Sequence, residues 1–153
     1  MSQFVEIAND VVSPTNRHQP PQATVWVPVV VWGIVIFMMS TSVFSSLNTS
    51  RFIEPMLRWM FPMASAATIS VLHALTRKTA HFVEYGVLFW LLVRGPMAGR
   101  PYTAFALCVV YAFFDEGHQM FVEGRTPSLY DVALDSTGAL FSRFLNLAVA
   151  ELA

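Results

Sequence analysis

A chain of 153 residues with 55% hydrophobic and 12% charged side chains has roughly half the charge of a soluble domain, where about 25% is usual. Its net charge of −1 gives no basic surplus for nucleic acid. The single cysteine, Cys108, excludes an intrachain disulfide framework and a cysteine-rich metal site, and within its apolar run it reads as a small buried hydrophobe.

At on the order of 20 apolar residues per span, a chain this short has room for four or five spans and little else. The expected class is all-α, an integral membrane helical bundle of about four transmembrane helices plus an interfacial or re-entrant helix. Residues 1–23 are polar and contain the run SPTNRHQPPQ, which reads as a flexible tail ahead of a transmembrane domain over 24–153. The first apolar run begins only after about two dozen polar residues and is too long for the core of a signal peptide, so none is expected.

Val25 to Leu47 carries no charge and is the first predicted span, with FSSLNTSRF as its polar exit. Glu54 to Thr76 is apolar but interrupted by Pro55 and Pro62. It reads as a helix in the membrane interface, with a re-entrant segment as the alternative. The second predicted span is Thr79–Val93, entered by Arg77 and Lys78, and the third is Pro101–Phe121. The run EGRTPSLYD makes a tight turn into a fourth span, Leu129–Ala148, which Asp131, Asp135 and Arg143 interrupt.

Four spans put both termini on one side. Arg17, Arg94, Arg100 and Arg143 fall on that side, against Arg51, Arg58, Arg77, Lys78 and Arg125 on the other. With Lys78 and Arg125 set aside as site residues, the positive-inside bias leans towards cytoplasmic termini.

Three helix ends bring polar residues to the other side. Lys78, His81 and Tyr85 are spaced i, i+3, i+7 and share one face. Asp115 and Glu116 stand three and four residues before His118 and Gln119. Asp131, Asp135, Gly138 and Ser142 make a stripe of acidic and small residues along which a neighbouring helix can approach closely. Arg125, in the turn, is within reach of all of them. Ionisable groups at a bilayer edge cost free energy unless paired or wet, so by default they indicate a functional site.

The expected pocket has Lys78 and Arg125 as its positive charges, suited to a phosphate, pyrophosphate or carboxylate. Its ligand-binding set is Lys78, His81, Tyr85, Asp115, Glu116, Gln119, Arg125, Asp131 and Asp135. If chemistry occurs there, Asp115 or Glu116 is the candidate base and His81 the candidate acid or ligand. The competing explanation is a salt-bridge network that clamps the bundle and holds no ligand. His81 with Glu84, and Glu116 with His118, offer ligands of zinc or manganese type. Neither pair forms a pattern such as HExxH, however, and no metal or other cofactor is expected. Ser128, Ser136 and Ser142 lie in no GxSxG elbow. Trp26, Trp59 and Trp90 fit an interfacial belt. The expected partners are membrane lipids or a lipid-linked envelope intermediate. The small-residue stripe also suits a second copy of the chain or another membrane protein.

The strings RKTAHFVEYGVLFWLL and DEGHQMFVEGRTPSLYDVALDSTGAL resemble the VanZ-like family of small bacterial membrane proteins over roughly residues 30–145. Lys78, His81 and Tyr85 match its Lys-x-x-His-x-x-x-Tyr helix. Asp115, Glu116, Gln119 and Arg125 match its Asp-Glu-x-x-Gln-x-x-x-x-x-Arg element. Asp131 and Gly138 match its Asp-x-x-x-Asn-x-x-Gly element, and the FSS of 44–46 resembles its exit from the first span. Asp135 stands where the family commonly has asparagine, and Ser142 where a glycine is frequent. The resemblance implies an envelope or lipid-related role. The family's namesake is associated with low-level resistance to the glycopeptide teicoplanin, and the resemblance implies no particular reaction.

Overall fold

The computed structural model describes residues 22–44, 46–123 and 125–152; most of the expected tail, with Ser45 and Gly124, lies outside them. Among the described residues the chain is all-helical: α1, Gln22–Ser40; a short 3-10 turn, Ser42–Phe44; α2, Ser46–Met60; α3, Ala66–Arg94; α4, Pro101–Gln119; and α5, Leu129–Leu152. By length and composition α1 alone is apolar enough to cross a membrane, over Ala23–Ser40. The other three long helices each carry ionisable residues.

Two boundaries differ from the sequence reading, each for a local reason. The first apolar run does not stay helical to Leu47. It stops at Ser40, where Thr41 hydroxyl and amide both turn back to the Met38 carbonyl, and its polar exit folds as part of α2. The stretch 54–76 is not one interfacial element either. It is cut at residues 61–65 around Pro62, which cannot continue a helix. Its first part ends α2, and its second begins the 29-residue α3. Ser65 caps that helix, its hydroxyl accepting from the Thr68 amide at 3.1 Å, which satisfies one of the orphan donors of the first turn.

The helices pack through small residues. α3 and α5 make the most extensive contact in the fold, with Gly86 set against Gly138. A Cβ on Gly138 would overlap the Phe82 carbonyl oxygen and stand 2.9 Å from its carbonyl carbon, so the two backbones touch where the sequence places its small-residue stripe. α1 lies across α3 and α4. Trp32 Nε1 donates to the Glu84 carbonyl at 2.9 Å, and Tyr111 hydroxyl donates to the Gly33 carbonyl at 2.7 Å. Between them sit Ile36, Tyr85, Phe89, Ala104, Cys108, Ala112 and Ala139, all at most 1% exposed. Cys108 is buried there as a free thiol.

The distribution of polarity is inverted relative to a soluble bundle. Val30, Val31 and Ile34 on α1, Val83 and Trp90 on α3, Val110, Phe113 and Phe114 on α4, and Phe141, Phe144 and Leu145 on α5 are exposed. Glu84, Asp115, Glu116, Gln119 and Asp135 are buried.

Candidate functional site

The C-terminal ends of α1 and α4, the N-terminal end of α5 and the middle of α3 meet at one end of the bundle, and the buried polar residues collect there. Helical spacing accounts for the set on α3: Arg77, His81, Glu84 and Tyr85 recur every three or four residues and face inward together. The tandem acids of α4 occupy its last turn, where Gln119 donates to Asp115 Oδ2 and to Glu116 Oε1, both at 3.1 Å. Glu116 also reaches across the turn to accept the Ser128 amide at 2.6 Å, which ties the start of α5 to the end of α4.

His81 and Asp135 form the innermost pair, with Nδ1 3.4 Å from Oδ1. Asp135 is fully buried, and neither of its oxygens completes a hydrogen bond. The same holds for the Tyr85 hydroxyl and for Asp115 Oδ1. Tyr85 lies within electrostatic range of both aspartates, and Glu84 within range of His81, Asp135, Asp115 and Arg125. Buried polar groups ordinarily have partners, and these four oxygens keep hydrogen-bonding capacity turned into the cluster.

Arg125 reaches from the α4–α5 turn to the far side of the site, where Nη2 donates to the Met39 carbonyl at the end of α1. Burial, and then the neighbouring charge of Arg77, depress its proton affinity below the ordinary arginine value. Lys78 is nearer the rim. It pairs with Asp131 at 2.8 Å and lies over the Tyr130 ring. With side-chain exposures of 42% and 27%, this is a surface-type bridge worth about 0–1 kcal/mol, too little to explain the cluster as a clamp.

Two cavities flank His81 and Arg77. One, of about 100 Å³, lies beneath the end of α1 and is lined by Ser40, Arg77, His81, Glu84, Asp115 and Arg125 among others. The second, of about 210 Å³, opens between α3 and the α4–α5 turn and is lined by Arg77, Lys78, His81, Gln119, Thr126 and Asp131. Of the expected ligand set, Lys78, His81, Asp115, Gln119, Arg125 and Asp131 line one or other of these cavities, whereas Tyr85, Glu116 and Asp135 line neither. His118 also lines neither. Its ring packs on Phe37 at 4.6 Å between centroids, pointing away from Glu116, and its Nδ1 has no partner. Among the described residues no group of three His, Cys, Asp or Glu side chains is placed to hold a metal ion.

Residues 25–148, which include all of these side chains, match the VanZ/LLP1 family. The chain belongs to the VanZ/LLP1 family. Neither the comparison with curated proteins nor that with solved structures returned a match. In this VanZ/LLP1 chain the His81–Asp135 pair joins α3 to α5, with Asp115 of α4 within electrostatic range of both.

Arg77, Ser40 and Met39 line the polar cavity without having been assigned from the sequence, and Glu84, weighed there only as a metal ligand beside His81, lines it too. Arg77 and Glu84 stand on the face of Lys78, His81 and Tyr85 and were legible from helical spacing. Ser40 and Met39 were not, because only the fold brings the end of α1 over the site.

Proposed function

We propose that this is a four-span membrane protein whose polar end binds an anionic envelope component, a lipid-linked phosphate or a phosphate-bearing headgroup. The observation that carries the reading is the cavity beneath α1, where Arg77 and Arg125 share a wall with the buried acids Glu84 and Asp115. Two guanidinium groups held close repel each other, and an anion between them relieves that repulsion while supplying acceptors for their donors. The bilayer location is supported by the apolar side chains exposed on all four long helices. Soluble monomers rarely leave more than a few hundred Å² of contiguous apolar surface uncovered. α1, α3, α4 and α5 would span, each about 28 Å or longer at 1.5 Å per residue. α2 would lie in the interface, where its Phe52 and Trp59 are exposed.

The test is retention of phosphatidic acid by detergent-purified protein in native mass spectrometry, with phosphatidylcholine as comparison. Arg125→Ala is expected to lower retention roughly tenfold, the loss of one or two charge-assisted hydrogen bonds. Arg125→Lys should fall between, keeping the charge and losing the fork. Equal retention by wild type and Arg125→Ala would sink the proposal. A consequence for glycopeptide resistance follows if the bound component lies on the envelope assembly route, and expression of the protein would then raise the teicoplanin concentration needed to stop growth.

A second reading has its own support in the His81–Asp135 pair, because an aspartate behind a histidine is how an imidazole is oriented for proton transfer. It makes the protein a hydrolase or transferase acting on the bound phosphate. Release of inorganic phosphate from phosphatidic acid, lost in His81→Gln, would favour it over simple binding.

A further inference from the structure

A larger cavity lies outside the polar site. It is a groove of about 440 Å³ between α1, α3 and α4, lined by Trp26, Val30, Gly33, Phe37, Leu88 and Tyr111 among others. Its volume is in the ordinary range for ligand sites, about 300–1,000 Å³. All three helices that wall this groove also wall the polar cavity beneath the end of α1.

The two linings share no residue, but on each of those helices they succeed one another within about a turn: α1 passes from Phe37 to Ser40, α3 from Leu88 to Glu84, and α4 from Tyr111 to Asp115. The groove and the cavity lie end to end along the crevice between α1 and the α3–α4 pair. Two hydrogen bonds hold its walls: Tyr111 hydroxyl to the Gly33 carbonyl, and Trp32 Nε1 to the Glu84 carbonyl. From Trp26 to Phe37 the wall rises roughly 16 Å, about half of the ~30 Å hydrocarbon core of a bilayer. The polar end, at about 100 Å³, is several times the ~10–15 Å³ of cavity space that one water needs. It has room for a phosphate-sized group.

We infer that the crevice takes a phosphate-headed lipid, the head between Arg77 and Arg125 and one hydrocarbon chain laid along α1 from Phe37 towards Trp26. This rests on the anion-binding reading above and adds where the chain goes. Gly33 is central to it. A Cβ there would stand 3.6 Å from the Tyr111 hydroxyl, an ordinary contact, so a larger side chain is tolerated at its first carbon and takes up groove volume with the rest.

The experiment uses the full chain in phosphatidylcholine nanodiscs with lysophosphatidic acid carrying a photoreactive diazirine at mid-chain. Two readouts are taken together: the residues labelled after illumination, and protection of Arg125 from phenylglyoxal. The expected result is label concentrated on the peptides bearing Val30 to Phe37, Leu88 and Leu107, with Arg125 protected. In Gly33→Leu the groove label should fall several-fold. Protection of Arg125 with label spread evenly over the outer apolar surface would overturn the chain site and leave anion binding standing. No protection and an even spread would overturn both. Equal groove labelling by a diazirine monoacylglycerol, which has no phosphate, would overturn the assignment of the head.

Discussion

Gly138→Ala is expected to loosen the bundle more than any other single-methyl change. The added carbon would meet Phe82 backbone, with the carbonyl carbon at 2.9 Å and Cα at 3.1 Å. Neither can move aside by changing rotamer, so α3 and α5 must separate along their length. Overpacking of this kind costs about 1–3 kcal/mol, occasionally more, and a backbone-on-backbone clash belongs at the upper end. At about 2–4 °C per kcal/mol for a chain of this size, thermal unfolding in detergent should fall by on the order of 10 °C. Two other glycines calibrate the effect. At Gly86 the new carbon would stand 3.3 Å from the Gly138 carbonyl oxygen, so Gly86→Ala should cost less. At Gly117 it meets nothing within 4 Å, and Gly117→Ala should be neutral or stabilise by up to about 1 kcal/mol through helix propensity. Equal melting temperatures for Gly138→Ala and Gly117→Ala would contradict the close crossing.

His81→Leu is expected to cost as much, for an electrostatic reason. Asp135 is fully buried, and His81 is its ion-pair partner at 3.4 Å. Removing one member of a buried pair leaves the other charge uncompensated, which typically costs about 3–5 kcal/mol. Asp135→Asn removes the charge instead and keeps an oxygen and an amide for the imidazole, so it should cost at most about 1 kcal/mol. The double variant His81→Leu with Asp135→Asn should recover most of the stability lost in His81→Leu alone. Melting curves of the three variants test this directly. No recovery in the double variant would show that His81 is needed for packing alone and that the pair carries no charge.

Much of the site was legible before folding because helical spacing is a one-dimensional rule. Lys78, His81 and Tyr85 on one face, Gln119 one turn beyond Asp115 and Glu116, and the stripe from Asp131 to Ser142 are consequences of 3.6 residues per turn. The tie from Gln119 to both acids follows from that spacing with no tertiary information. The interfacial helix was misplaced because hydropathy reads 54–76 as one stretch, whereas Pro62 and the Ser65 cap divide it. The length of α3 was missed for the same reason, since Arg77 and Lys78 look like the mouth of a span and in fact lie in mid-helix.

What the sequence by itself determined is the helical class, the polar residues of each helix end, and the presence of small residues where two helices would meet. These depend on composition and on periodicity along one chain. Only the tertiary structure decided which polar groups meet: that His81 pairs with Asp135 rather than with Glu84 or Glu116, that Arg125 crosses the site to the Met39 carbonyl, and that the end of α1 roofs the polar cavity. The groove and the polar cavity along α1 are also tertiary facts. Each is lined from helices distant in sequence, and no spacing within a single helix encodes how those helices come together.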